Sequence, residues 1–378
     1  MQIEYSKRIF GLDIMRAVAI LMVVFSHSLW IVPGAKGFIP DLLSLAGVLG
    51  VEVFFVLSGF LIGRIVFQLF IQDDFSFNKV TYFWIRRWFR TLPNYYLILL
   101  VNIIIAGFLG TELPDKLWMY FLFMQNFAWE MPLFFSESWS LPIEEFAYII
   151  GPLLLYVLFY FKVKTNRKNL FAIITICIIL VFIITKILYN LTIPNSDMMF
   201  WNVNLKAITI YRIDAIYYGV LAAYLSMIRP KKWQKLSGLS FTIGILIFVI
   251  LNFIIPTQSV FIETHPFFWN VLYLPINSIA LAFCLPVLSK IKSAPKLLLV
   301  PVTYISLISY SMYLLHYSVV LQLLKYYIPS EGLAKFDLII YVSVYIIATF
   351  LLSYILYRLY EKPMMDIRDK PMFSKMIK

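Results

Sequence analysis

The sequence predicts an all-α, polytopic membrane helix bundle with about ten transmembrane helices and one short re-entrant or interfacial helix. Of the 378 residues, 62% are hydrophobic and only 14% are charged, and the mean hydropathy is +0.85. Soluble domains average about 45–50% apolar and about 25% charged residues. Apolar runs of about 20 residues, the length that crosses a bilayer, also recur along the whole chain. Both observations favour an integral membrane protein of the cell membrane.

Ten apolar runs are long enough to cross a bilayer. A shorter run at 118–129 is too short to cross and is rich in aromatic residues, so it predicts the re-entrant or interfacial helix. The first run has no small-residue cleavage site and contains Arg16 and His27, which indicates a retained helix rather than a signal peptide. The ten predicted spans are about residues 12–32, 42–71, 92–110, 141–161, 169–189, 208–228, 238–255, 268–288, 304–327 and 338–360.

Lysine and arginine are concentrated in alternate connections between the runs. Under the positive-inside rule, this alternation predicts that both termini are cytoplasmic and that the number of crossings is even. The net charge of +12 is then explained by orientation in the membrane, without a nucleic-acid partner. The basic segments contain Lys7 and Arg8; Lys79, Arg86, Arg87 and Arg90; Lys162, Lys164, Arg167 and Lys168; Arg229, Lys231, Lys232 and Lys235; Lys290, Lys292 and Lys296; and Lys362, Arg368, Lys370, Lys375 and Lys378.

The extramembrane connections are short, so we expect one membrane domain over residues 1–378 with no appended soluble domain. The longest outer segment lies near residues 111–140 and carries several tryptophans that could stack on sugar rings. Two cysteines and three histidines are too few to predict a structural zinc site, and no metal is expected.

The stretch "MRAVAILMVVFSH" places Arg16 and His27 on one helix. Eleven residues are about three turns, so both side chains lie on one face, about 16 Å apart along the axis. Arg16 alone is explained as a snorkelling anchor, and His27 alone as a packing residue. Inserting an ionisable group into the membrane costs about 2.5–3.5 kcal/mol, so such groups are usually functional. The pair, with Asp13 close by, is therefore interpreted as the two ends of a path through the protein.

The stretch "SESWSLPIEEFAY" enters the fourth span from the outside, at the depth of His27. Pro142 suits the first turn of a helix, and the following Glu144 and Glu145 suit its dipole. Adjacent side chains point about 100° apart, so only one of the two carboxylates is expected to face the core. Helix-terminal acids without a further role are the alternative explanation.

Four more ionisable groups lie within the predicted spans. Glu52 is a candidate partner for Arg212 or another buried cation. Arg212 and Asp214 are either a mutual pair or partners of Glu52. His316 is mid-membrane and is either a packing residue or part of the site. Their position in lipid makes all four candidates for supporting roles.

The stretch "RRWFRTLPNYY" carries Arg86, Arg87 and Arg90 beside aromatic residues. Each arginine alone fits the positive-inside pattern. Three guanidinium groups within five residues also form a good site for clustered phosphates. The sequence therefore predicts that a nucleotide-bearing cofactor docks here from the cytosol.

Seven motifs occur along the chain in a recognisable order. They are "LDIMRAVAILMVVFSH", "GVEVFFVLSGFL", "RRWFR", "SWSLPIEEFAY" followed by "GPLL", "YRIDAIYYG", "SYSMYLLHYSVV" and "YEKP". In this order the chain resembles the acyltransferase-3 family of integral membrane acyltransferases over nearly its whole length. Ala147 stands where a bulkier residue is usual, and Glu52 replaces a commoner Asp.

The resemblance implies transfer of an acyl group, usually acetyl, from cytoplasmic acyl-CoA to a hydroxyl of an extracytoplasmic glycan or lipid-linked sugar. It implies that Arg16 and His27 form the family's Arg-His pair and that Glu144 is the family's acidic residue. The CoA phosphates are expected on Arg86, Arg87, Arg90 and Arg64, with the pantetheine arm passing Arg16.

In the mechanism that we expect, His27 accepts the proton of the acceptor hydroxyl as a general base. Glu144 orients His27, and Arg212 is a candidate to stabilise the oxyanion. A covalent acyl-histidine intermediate is an open variant. The main alternative function is a transporter or flippase of a glycan or an acylated small molecule, although the chain shows no internal repeat of the kind transporters often have.

Overall fold

A computed structural model describes residues 8–32, 34–163, 165–194 and 197–369. Within these ranges the chain folds into helices and connecting turns, with no strand. The all-α prediction is confirmed. The α-helices are α1 (Phe10–His27), α2 (Phe38–Phe70), α3 (Phe77–Leu109), α4 (Trp118–Phe121), α5 (Ser140–Tyr160), α6 (Arg167–Thr192), α7 (Met198–Trp201), α8 (Asp214–Ile228), α9 (Pro230–Lys235), α10 (Ser237–Val249), α11 (Leu274–Leu288), α12 (Lys296–Leu315), α13 (Gln322–Tyr327), α14 (Lys335–Leu356) and α15 (Lys362–Arg368).

Nine helices in the described part of the chain are long and apolar enough to cross a membrane. One of them, Lys296–Tyr327, joins α12 to α13 through a π-helical turn at His316–Leu321. The predicted span 208–228 corresponds to α8, which has 15 residues and follows a 3₁₀ turn at Thr209–Tyr211. The polytopic bundle is confirmed, with one predicted crossing shorter than the nine others.

Helix α3 is longer than the sequence predicts. The expected span at 92–110 leaves the arginine-rich segment in a loop, whereas the helix begins at Phe77 and includes Arg86, Arg87 and Arg90. These arginines line a cavity of the protein. Because their side chains face this cavity and not the lipid, the segment that carries them can be helical. The loop assignment for these three residues is therefore wrong.

The segment at 118–129 also differs from its prediction, because only α4, four residues long, is α-helical. Phe123 has a left-handed backbone with φ of 57°. The carbonyls of Tyr120 and Phe121 accept hydrogen bonds from the hydroxyls of Tyr95 and Tyr96, each at 2.8 Å. Side chains of α3 thus hold this segment in an irregular conformation, and a helix over the whole run is wrong.

Helices α2 and α8 approach each other backbone to backbone. A Cβ atom at Gly59 would lie 1.9 Å from the carbonyl oxygen of Ile216, and one at Gly219 would lie 2.1 Å from that of Val56. Only glycine permits this approach, which is the usual role of small residues between membrane helices. The contact fixes α8 against the long helix that carries Glu52 and Ser58.

The two ends of the described chain lie at the same end of the bundle, because Ile9 and Arg368 line one cavity. We call this the cavity end. Helix α1 runs about 27 Å from there to His27, whose end of the bundle we call the far end. This arrangement agrees with an even number of crossings. The cytoplasmic position of the termini stays a prediction, and Lys7, Lys164, Lys370, Lys375 and Lys378 lie outside the described residues.

Candidate active site

A cavity of about 750 Å³ lies between α1, α2, α3, α5 and α12. Its volume is within the range of about 300–1,000 Å³ that is typical of ligand sites. The arginine side chains become less accessible inward: Arg86 is 42% exposed, whereas Arg87 and Arg16 are both 16% exposed. All the arginines that the sequence assigns to the donor lie here. The arginines of the cavity wall are Arg16, Arg64, Arg86, Arg87, Arg90 and Arg368.

The arginines differ in how far protein groups neutralise them. Arg86 donates a hydrogen bond to Asp369 at 2.9 Å, and Arg87 donates one to Glu144 at 3.1 Å. Arg64 rests its guanidinium over the Phe60 ring, 5.7 Å from the centroid. Within the described residues, Arg64 and Arg90 donate no hydrogen bond and form no ion pair. Their N–H groups are therefore available to donate hydrogen bonds to an anionic ligand.

Glu144 is the carboxylate of the pair that faces the cavity. It accepts hydrogen bonds from Arg87 and from the Tyr148 hydroxyl, at 3.1 and 2.5 Å. The guanidinium of Arg87 also lies over the Tyr148 ring, 4.3 Å from the centroid. Glu145 points away from the cavity and accepts a hydrogen bond from Thr91 at 2.9 Å. Of the two acids, Glu144 therefore lines the cavity, whereas Glu145 is buried in the protein core.

The predicted contact between Glu144 and His27 is not formed, and this expectation is corrected. The Glu144 carboxylate is committed to Arg87 and Tyr148, because α3 lies beside α5 at this depth. His27 instead contacts residues of α1 and of the π-helical turn after α12. Glu144 therefore holds Arg87 at the cavity wall, and a catalytic role for Glu144 stays a prediction.

Arg16 lies in a small polar network at the wall of the cavity. Its Nη1 is 3.6 Å from Asp13 Oδ1 and donates to the Ser306 hydroxyl at 3.2 Å. Asp13 also forms an ion pair with Arg8 and accepts from Ser306 at 2.7 Å. One carboxylate is thus shared by two guanidinium groups, so Asp13 neutralises the charge of Arg16 only in part.

The inner wall of the cavity is formed by Ser140 and Tyr313. The two hydroxyls are 2.7 Å apart, and the Tyr313 hydroxyl donates to Glu137 O at 2.6 Å. The Tyr313 ring lies 6.3 Å from that of Phe54 and 5.8 Å from that of His316. This layer, which we call the tyrosine wall, separates the cavity from the histidines at the far end.

His27 and His316 meet behind the tyrosine wall. Their ring centroids are 4.7 Å apart, and His316 Nε2 is 3.3 Å from His27 Nδ1. His27 Nδ1 is also 2.8 Å from Val23 O. His316 is fully buried, whereas His27 is partly exposed. The structure therefore places His316, one of the predicted supporting residues, against the predicted base.

The other supporting residues form two buried ion pairs within the bundle. Arg212 pairs with Glu52, and Asp214 pairs with Lys186. The suggested mutual pair of Arg212 and Asp214 is therefore wrong, while the pairing of Glu52 with Arg212 is correct. Arg212 has no exposed surface and does not line the cavity, so it is not placed to stabilise an oxyanion of a ligand bound there.

Sequence reasoning missed several residues of this region. Lys186 is a single lysine inside an apolar run, and that unusual position is a signal that could have identified it. Tyr313, Tyr148 and Ser306 carry no such signal, because hydroxyl residues are common in membrane helices. Their importance becomes visible only when helices distant in sequence are brought together.

Comparison with known proteins identifies a family and several relatives. The model of the acyltransferase-3 family, described as "Acyltransferase domain", matches residues 9–358. The chain is 26% identical over 337 residues to "Peptidoglycan O-acetyltransferase OatA" of Listeria monocytogenes, covering 84% of this chain and 50% of that protein. It is 28% identical over 369 residues to "Putative O-acetyltransferase SACOL0978" of Staphylococcus aureus, covering 85% of this chain and 52% of that protein.

A shorter match covers 51% of this chain and 30% of "Putative peptidoglycan O-acetyltransferase YrhL" of Bacillus subtilis, at 30% identity. The chain spans about half the length of the first two relatives. No solved structure matches it significantly.

Proposed function

The chain belongs to the acyltransferase-3 family, and on this premise we propose that it is a membrane O-acetyltransferase. In this proposal an acetyl group passes from acetyl-CoA, bound at the cavity end, to a hydroxyl of a glycan presented at the far end. The names of the relatives support an O-acetyl product and a peptidoglycan-like acceptor. The observation that carries the proposal is one cavity that gathers the predicted donor arginines and ends one aromatic layer from His27 and His316.

The donor fits the cavity by its charge and its shape. The phosphates of CoA suit Arg64 and Arg90, whose guanidinium groups donate no hydrogen bond to the described residues, and Arg86 at the mouth. Guanidinium groups bind phosphate through two parallel hydrogen bonds, which is why arginine is preferred in such sites. Deeper in the cavity the wall is partly apolar and includes Phe54 and Phe55, which suits the narrow pantetheine arm of CoA. Acetyl-CoA supplies the activated acetyl thioester.

The chemistry that we assign to the protein is carried by His27. It takes the proton of the acceptor hydroxyl while that oxygen attacks the thioester carbonyl, a contribution of about 10²–10⁴-fold. When the C–S bond breaks, His27 gives the proton to the departing thiolate and becomes neutral again. The tyrosine wall lies across this route, so Tyr313 must move for the acetyl group to reach His27.

A second cavity, of about 610 Å³, is a candidate site for the acceptor. It lies in the segment between α3 and α5 and is lined by Glu112, Asp115, Trp129 and Glu130. Carboxylates accept hydrogen bonds from sugar hydroxyls, and Trp129 is 40% exposed, so part of its side chain is available to contact a sugar ring. Gln125, which also lines this cavity, donates to the Ser138 hydroxyl at 3.3 Å, and the neighbouring Glu137 accepts a hydrogen bond from Tyr313 through its backbone carbonyl.

The test is turnover by the purified chain with radiolabelled acetyl-CoA and soluble peptidoglycan fragments. We expect label in the glycan that is released by mild alkali, as an ester is, and a loss of at least about 10²-fold in His27→Ala. The control His265→Ala changes a histidine that is exposed and does not line the cavity. Full activity of His27→Ala would remove the general base, and movement of glycan across vesicles without any turnover would support the transporter instead.

A further inference from the structure

The contacts of His316 determine which of its ring nitrogens carries hydrogen. His316 Nδ1 lies 2.8 Å from Tyr313 O and 3.1 Å from Met312 O. A carbonyl oxygen only accepts hydrogen bonds, so Nδ1 must be the protonated nitrogen. In the neutral ring, Nε2 is then a bare acceptor, and this atom faces His27 at 3.3 Å.

The same reasoning determines the tautomer of His27. Its Nδ1 has two neighbours, Val23 O at 2.8 Å and His316 Nε2 at 3.3 Å. Both are acceptors, so the hydrogen of His27 sits on Nδ1 and is shared between them. The Nε2 atom of a neutral His27 therefore has a free lone pair, and within the described residues it makes no hydrogen bond.

We propose that His316 is a positioning residue for the acyl transfer, because it holds His27 in the tautomer whose Nε2 can accept the acceptor's proton. This role rests on the proposed function. His316 takes the place that sequence reasoning gave to Glu144, and a neutral imidazole replaces the carboxylate that orients the base in other catalytic sites.

The pair also determines which ring becomes charged. A proton on His316 Nε2 would face the Nδ1 hydrogen of His27, setting two donors against each other. A proton on His27 Nε2 has no such conflict, and His316 Nε2 continues to accept from Nδ1. The proton taken from the acceptor hydroxyl therefore resides on His27, from which it can return to the departing thiolate.

The local backbone fixes His316 in this orientation. His316 is the first residue of the π-helical turn His316–Leu321, a type of irregularity that is frequent at functional sites. Within this turn, Ser318 donates both its backbone N–H and its hydroxyl to Glu137 Oε1, at 3.0 and 2.5 Å. The carbonyls of Met312 and Tyr313 accept from one side of the His316 ring, and the Tyr313 and Tyr317 rings pack against it at tilted angles.

Nitrogen NMR tests the geometry independently of activity. The chain has three histidines, His27, His265 and His316, so ¹⁵N-histidine labelling gives a spectrum that single substitutions can assign. We expect His27 and His316 in the Nδ1–H tautomer, and we expect His316→Leu to release His27 into a mixture of tautomers. An Nε2–H tautomer of His27 in the wild-type chain would overturn the inference.

Kinetics test the role. We expect His316→Leu to lower kcat about 10²-fold while the KM for acetyl-CoA stays within about threefold. His316→Gln, whose side-chain oxygen can still accept from His27, should recover at least about tenfold of that loss, and the control His265→Leu should behave as wild type. Equal losses in the Leu and Gln variants, or none in either, would overturn the role.

A failure of the proposed function and a failure of the inference about His316 give different results. A wild-type chain that shows the predicted tautomer but transfers no acetyl group would overturn the proposed function, and with it the role of His316. A wild-type chain that transfers acetyl normally but shows the other His27 tautomer would overturn the inference alone.

Discussion

At the residue scale, the arginines of the cavity wall are of two kinds. Arg86 and Arg87 are paired with Asp369 and Glu144, so part of their attraction for an anion is already used. Arg64 and Arg90 have no such partner among the described residues. Charged hydrogen bonds contribute about 1.5–3 kcal/mol each, and the unpaired arginines are therefore expected to contribute most to donor binding.

Arg64→Gln and Arg90→Gln should each raise the KM for acetyl-CoA by about 10-fold or more, as the loss of one charged hydrogen bond predicts. The measurement is initial-rate kinetics with the purified variants. Arg229→Gln is the matched control, since Arg229 is exposed outside the cavity. Donor affinity equal to wild type in both cavity variants would place the phosphates elsewhere.

Glu144 should act through Arg87, because its carboxylate contacts this arginine and not His27. In a double-mutant cycle, the kcat/KM of the combined Arg87→Gln and Glu144→Gln variant should be close to that of the worse single variant, with a coupling of about 0.5–3 kcal/mol. Losses that simply add would show that the two residues act independently and would return Glu144 to a separate catalytic role.

At the scale of the helices, apolar run length identified the crossings but could not show how the helices contact one another. The ten runs correspond to observed helices because burial in lipid demands length and apolarity. The N-terminal part of α3 could not be predicted, because a cation-rich segment is normally a loop in membrane proteins. The cavity that Arg87 and Arg90 line explains why these residues can lie in a helix. The neighbours of Glu144 likewise depend on which helices pack beside α5, and the spacing of residues along the sequence does not show this.

The crossing of α2 and α8 depends on glycine. Gly59→Ala should destabilise the bundle by about 1–3 kcal/mol, the usual cost of overpacking, since its Cβ would meet the backbone of Ile216. Thermal unfolding in detergent measures this as a lower Tm. Gly107→Ala is the control, because nothing lies within 4 Å of its Cβ position. A Tm of Gly59→Ala equal to that control would contradict the close contact.

At the scale of the whole molecule, the bundle has a basic cavity at one end and a histidine pair toward the other, with the tyrosine wall between them. The sequence predicted most of these parts: Arg16, His27 and the arginines of α3 are all in or beside the site. It could not predict the wall or the contact between His27 and His316, because both need α1, α5 and α12 to converge. Under the proposed function, we expect movement of Tyr313 to join the cavity and the histidine pair into one route through protein.

The most direct test of that route uses proteoliposomes with the glycan acceptor trapped inside and labelled acetyl-CoA supplied only outside. Molecules whose cavity end faces outward should acetylate the trapped glycan, and His27→Ala vesicles should not. Acetylation that occurs only when donor and acceptor share one side of the membrane would contradict transfer from the cavity end to the far end.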